Sequence, residues 1–124
     1  VTDVTGFGLA GHLLEMCRGA RLAATLRLDD LPLIAEAAQL VRDGVATGAS
    51  TRNWASYGSD VHLPPEAPEW QRKLITDPQT SGGLLIACAP EAVAEVQRVI
   101  REVQGEEGAV IGQMEAGEAK LSLI

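Results

Sequence analysis

Asp3 stands in the opening run VTDVTGFGLAGH between two threonines, with Gly6, Gly8 and Gly11 close behind it and an apolar helical pattern beginning at once. A helix that starts here aims its free N–H groups and the positive end of its dipole back at Asp3 and Thr5. Phosphate is the natural guest of such a terminus. A carboxylate joins a phosphate only through a hard divalent cation, so the residue types point to a Mg²⁺–phosphate site. Thr2, Asp3 and Thr5 are equally good helix caps, and capping alone accounts for them. The clustered glycines read as backbone in close approach to a ligand. One carboxylate does not hold Mg²⁺ by itself. Asp60 and Asp77, in expected loops, are the acids of this chain that could approach, and otherwise the remaining ligands come from another domain.

A second polar, glycine-closed run is TDPQTSGG, residues 76–83. Asp77 and Pro78 open a turn, and Gly82 and Gly83 close it before an apolar run. His12 has no His, Cys or carboxylate four residues before or after it, so packing or a backbone hydrogen bond is its expected role. Cys17 and Cys88 form no CxxC pair and read as buried free thiols rather than zinc ligands or nucleophiles.

These residues need elements to hold them. Residues 6–18 fit a helix with Leu9, Leu13, Met16, Cys17 and Ala20 on one face and Gly19 as its stop. Residues 21–28 alternate as a strand. Pro32 suits the first position of a second helix carrying Leu33, Ala37, Leu40 and Val41 and closed by Gly44. Residues 44–68, rich in Gly, Ser and Pro, read as a long irregular loop in which Trp54 and Tyr57 require something to pack on. A short helix is expected over 69–75. LLIACA then reads as a buried central strand, and a long helix from Pro90 has Val93, Val96, Val99, Ile100 and Val103 on one face. AVIGQM and AKLSLI close the chain as two strands joined hairpin-fashion through EAGE. This order gives an α+β or mixed α/β fold with about four strands in one sheet and helices over at least one face.

The chain has 124 residues, the size of a single domain with a real core. Aromatic residues are only 3%, so that core is aliphatic. A net charge of −7 with scattered basic residues argues against a nucleic-acid surface. No apolar run reaches membrane-spanning length and no targeting segment is visible, and cysteine usage fits the reducing cytoplasm. The chain starts inside a motif without an initiator Met, as a fragment of a longer protein would.

TDVTGFGLAGH together with DPQTSGGLL resembles the C-terminal half of the selenophosphate synthetases (selenide, water dikinases), relatives of aminoimidazole ribonucleotide (AIR) synthetase. GASTRN resembles their GGTxRN loop, with Ala49 where glycine is common. The resemblance runs from Thr2 to Ile124. It implies an α+β domain in α/β/α layers, like the AIR synthetase C-terminal domain and partly ferredoxin-like. It also implies an enzyme that takes ATP, selenide and water to selenophosphate, AMP and phosphate. Asp3 would be the Mg²⁺ ligand by motif match, with Thr5, Gly6 and Gly8 facing the phosphates and the polar side of the 77–83 loop near the nucleotide cleft. No catalytic residue is expected in this chain. The Cys or selenocysteine, its Lys and further aspartates belong to an N-terminal domain that also forms the homodimer. A non-catalytic structural or partner-binding domain, and a sister ATP-dependent synthetase, are the competing expectations.

Overall fold

The computed structural model describes residues 1–124. Helix α1 (Gly8–Ala20) turns Ala10, Leu13, Leu14 and Cys17 inward; of the expected face Leu13 and Cys17 are buried, Leu9 and Met16 are half-buried, and Ala20 is exposed. It starts two residues later than the periodicity predicts, because Phe7 is the N-cap. It does not stop at Gly19. Arg21 takes the left-handed conformation (φ 56°) and returns its N–H to the Cys17 carbonyl.

Strand β2 (Leu22–Leu26) follows and becomes a central strand of an open, mixed four-stranded sheet with β3 (Val61–His62), β5 (Gly112–Ala116) and β6 (Leu121–Leu123), in the order β3-β6-β2-β5. β5 runs antiparallel to β2, with Leu22 opposite Ala116 and Leu26 opposite Gly112. β6 runs parallel to both β2 and β3, Leu121 lying beside Ala24 and Val61. The α+β fold with about four strands in a mixed sheet is therefore present.

The hairpin expected through EAGE is not. β2 lies between β5 and β6, and residues 117–120 carry the chain past its end. The side chains explain the choice: Leu121 and Leu123 are almost wholly buried and take an interior position, whereas Gln113 and Glu115 of β5 are exposed and suit an edge.

Paired residues share a face. Ala24, Met114, Leu121 and Val61 look toward the helices, while Thr25, Gln113, Glu115 and Ser122 look away. α1 packs on β2 and β6. α4 (Glu69–Thr76) and α3 (Gly48–Tyr57) pack on α1, and α2 (Ala35–Arg42) packs on α4. Helix α2 begins three residues after Pro32, with Ile34 as its N-cap, and Gly44 beyond it is left-handed (φ 92°). The core is aliphatic as expected: Leu14, Leu26, Ile75, Leu121 and Leu123 are its largest fully buried members, and Tyr57 is its one aromatic.

Two further expectations fail. Residues 44–68 are not an irregular loop, since α3 occupies their centre. Thr47 caps α3 by accepting the Ser50 N–H, and Tyr57 packs into the core. LLIACA is not a buried central strand. Only Leu84–Leu85 form a strand, β4, and it pairs with β1 (Thr2–Asp3) in a separate two-stranded ribbon. Leu84 is 63% exposed and Cys88 is exposed rather than buried; β2 and β6 already fill the interior of the larger sheet. Helix α5 (Val93–Gln104) starts from a 3₁₀ turn at Pro90–Ala92 and ends at left-handed Gly105. Its Val93, Val96 and Ile100 face Leu84, Ile86 and Ile111 across a groove of about 550 Å³. No helix is long and apolar enough to cross a membrane.

Candidate functional site

The alternation of β1 decides where Asp3 goes. Val4 is 5% exposed and belongs to the core, so Asp3 lies on the outer side of the ribbon, opposite its cross-strand partner Leu84. Asp3 is exposed, and its neighbours on that side, Val1 and Leu84, are 80% and 63% exposed. Asp60 does not approach it: its carboxylate is 2.9 Å from Arg18 at the far end of α1. No three His, Cys, Asp or Glu side chains gather closely enough to form a metal site. A cation at Asp3 therefore takes ligands from beyond this chain, which matches the habit of Mg²⁺ to bind through one or two carboxylates, waters and phosphate oxygens.

The loop after Asp3 is pinned from three directions. The Val4 N–H donates to the Gly83 carbonyl at 2.9 Å, and the Gln79 N–H donates to the Thr5 carbonyl at 3.0 Å. The TDVTG and DPQTSGG motifs therefore form one structure. Gly82 is required for the contact, because a Cβ there would lie 1.9 Å from the Val4 carbonyl oxygen. From the α1 side, the Thr5 hydroxyl is 3.0 Å from His12 Nε2. The side-chain capping reading falls, since no side chain of Thr2, Asp3 or Thr5 caps α1.

Helix α3 supplies the third direction. One Nδ2 of Asn53 donates to both the Gly6 and the Thr76 carbonyls at 2.9 Å, Tyr57 donates its phenol proton to the Phe7 carbonyl, and the Ser50 hydroxyl pairs with that of Thr76. The molecule has four buried polar side chains, His12, Ser50, Asn53 and Thr76, and every one of them is at this junction. Each such bond contributes about 1 kcal/mol net, and losing Asn53 would leave two carbonyls short of a donor at about 1–3 kcal/mol each where they are buried. His12 Nδ1 has no hydrogen-bond partner; the nearest carboxylate, Glu15, is 3.7 Å away.

The expected phosphate-facing residues separate here. Gly6 is exposed with open space around it, and Thr5 is half-buried. Gly8 is buried and its N–H goes to the Thr5 carbonyl at 3.1 Å. Its φ is 71°, and a Cβ there would lie 2.7 Å from the Thr76 carbonyl carbon. Gly11 makes room for Tyr57, whose ring carbon would be 2.9 Å from an added Cβ. Two of the three glycines thus serve the approach of the chain to itself. Asp77 is half-buried beside Gly8, and desolvation pushes its carboxyl above the usual range. Arg52 is exposed on α3. Sequence reasoning missed Ser50 and Thr76, and of Tyr57 it showed the need to pack but not the bond to the Phe7 carbonyl. The available signal was the i, i+3, i+7 spacing of Ser50, Asn53 and Tyr57 in a segment whose Gly and Ser content suggested a loop.

Residues 1–123 match the family model described as AIR synthase related protein, C-terminal domain. The chain is 50% identical over 124 residues to a selenide, water dikinase of Rhizobium meliloti (strain 1021), covering 100% of this chain and 36% of the relative. It is 54% identical over 123 residues to that of Burkholderia pseudomallei (strain K96243), covering 99% and 35%. It is 49% identical over 124 residues to that of Dechloromonas aromatica (strain RCB), covering 100% and 36%. The chain spans about a third of the length of these curated relatives. With the two glycine motifs and the α+β architecture on one molecule, the chain belongs to the family of AIR synthase related proteins, as their C-terminal domain.

Proposed function

We propose that this chain is the C-terminal domain of a selenophosphate synthetase, the rest of which, including the Cys or selenocysteine and Lys, lies in an N-terminal domain. The whole enzyme takes selenide, ATP and water to selenophosphate, AMP and phosphate, as a cytoplasmic homodimer. The observation that carries the reading is the exposed Asp3 carboxylate on a loop that two of the four buried polar side chains, His12 through Thr5 and Asn53 through the Gly6 carbonyl, hold directly. A surface carboxylate with no task does not need that support.

Asp3 holds one side of a Mg²⁺ ion whose other ligands come from the N-terminal domain and the nucleotide. The bound cation supplies charge neutralisation at phosphate oxygens during phosphoryl transfer. The chain does the rest: the backbone of Thr5 and Gly6 borders the phosphates, Gly8 seats the loop against the 76–77 peptide, and the exposed Val1 and Leu84 beside Asp3 are covered by the neighbouring domain. With a single cation ligand, the chain alone is inactive.

In the intact enzyme, Asp3→Asn is expected to lower ATP-dependent selenophosphate formation by about 100-fold or more. Its melting temperature stays near the parent's, because the residue is exposed and makes no side-chain bond that holds the fold. Near-normal turnover would remove Asp3 from the mechanism, and ATP consumption indifferent to selenide would point to a sister synthetase with another substrate.

A further inference from the structure

The geometry points to Asn53 as the positioning residue that couples the Asp3 loop to the 77–83 loop and sets the direction of the peptide between Gly6 and Phe7; this deepens, and rests on, the reading of Asp3 as a cation ligand. Asn53 is 9% exposed, so water does not replace its bonds. Its Nδ2 carries two hydrogens and sits 2.9 Å from one carbonyl on each segment, Gly6 and Thr76. Asp at this position has no donor, Ser has one, and Gln is a methylene too long. The same face of α3 brings Ser50 to Thr76 and Tyr57 to Phe7, so the helix holds both ends of the junction at once.

The consequence lies on the outer side of the loop. Every peptide in the chain is trans, and a trans peptide holds its C=O and N–H in opposite directions. With the Gly6 carbonyl drawn in by Asn53, the Phe7 N–H is turned outward. No backbone carbonyl accepts it. Phe7 and Gly6 are both exposed, and they follow Asp3 by only a few residues. Asn53 therefore presents an outward N–H donor and the Asp3 carboxylate on one rigid loop. That combination suits a phosphate oxygen next to its cation. A misplacement of about 1 Å in such an arrangement costs about 100-fold in rate.

The test uses the intact enzyme with Asn53→Asp, and Asn53→Ser as the second variant should the first not fold. Two readouts are taken. Hydrogen exchange of the Val4 and Gln79 amides, which bridge the two loops, is expected to become about tenfold faster relative to amides of β2. The Mg²⁺ concentration for half-maximal ATP-dependent turnover is expected to rise about tenfold. Val41→Ala, a buried position on α2 away from the junction, lowers the melting temperature but leaves the Mg²⁺ dependence unchanged. Parental exchange at both amides overturns the coupling, as does an equal Mg²⁺ shift in the Val41 control at matched loss of melting temperature. If Asp3→Asn retains full turnover, the cation reading fails and exchange alone decides the coupling. If Asp3→Asn is inactive while the Asn53 variants show neither change, only the coupling fails.

Discussion

Gly8→Ala is the perturbation that the packing of this molecule judges most sharply. Gly8 sits at φ 71°, where an L side chain costs about 1–2 kcal/mol. An added Cβ would also lie 2.7 Å from the Thr76 carbonyl carbon and 2.9 Å from the carbonyl oxygens of Ile75 and Asp77. These are backbone atoms at the end of α4 with no rotamer to relieve them, and heavy atoms prefer about 3.5–4.0 Å. Overpacking of this kind costs about 1–3 kcal/mol. The sum is about 2–5 kcal/mol, a large part of the roughly 5–15 kcal/mol that keeps a domain folded. Gly105 provides the comparison: φ is 83° there too, and nothing lies within 4 Å of an added Cβ, so Gly105→Ala bears the conformational cost alone. Urea unfolding of the parent and both variants, with an unchanged m-value, gives the difference directly. Gly8→Ala is expected to lose about 1–3 kcal/mol more than Gly105→Ala, or roughly 4–12 °C in melting temperature for a chain of this size. Equal losses within about 0.5 kcal/mol would refute the contact between the α1 N-terminus and the 75–77 backbone, and with it the seating of the Asp3 loop.

Two further outcomes follow from buried groups. Burial pushes the Tyr57 phenol up to about 12 from 10.0, outweighing the opposing effect of the Gly11 backbone. The folded chain therefore holds this proton more tightly than the unfolded chain. The associated stability is complete below about pH 10 and is lost as the pH climbs toward 12. Denaturation at stepped pH should show that decline, and Tyr57→Phe should lessen it while lowering stability at neutral pH through the lost bond to the Phe7 carbonyl. The two thiols should separate in a labelling experiment. Cys88 is exposed and reacts with a disulfide reagent in the native chain. Cys17 is fully buried with its thiol raised by desolvation, and it reacts only on unfolding. Prompt reaction of both would contradict the packing of α1.

The sequence by itself determined the parts that depend on local period and on motif. The apolar period through Leu13 and Cys17 indicated α1, the alternation read over 21–28 indicated the strand that forms at Leu22–Leu26, and the valines after Pro90 indicated α5, because amphipathic periodicity is a property of neighbouring residues. The two glycine motifs were enough to indicate the family. Tertiary structure alone decided which strand lies inside. LLIACA is as apolar as any strand in the chain, yet Leu84 ends on a surface ribbon while Leu121 and Leu123 take the interior, since a central position is won by competition among segments distant in sequence. It also turned a Gly- and Ser-rich stretch into α3, whose polar residues are stable inside only because the carbonyls of Gly6, Phe7 and Thr76 arrive to meet them. A buried polar side chain has no local signature: its cost is cancelled by partners that reach it through the fold, and here those partners are the two loops that carry the site.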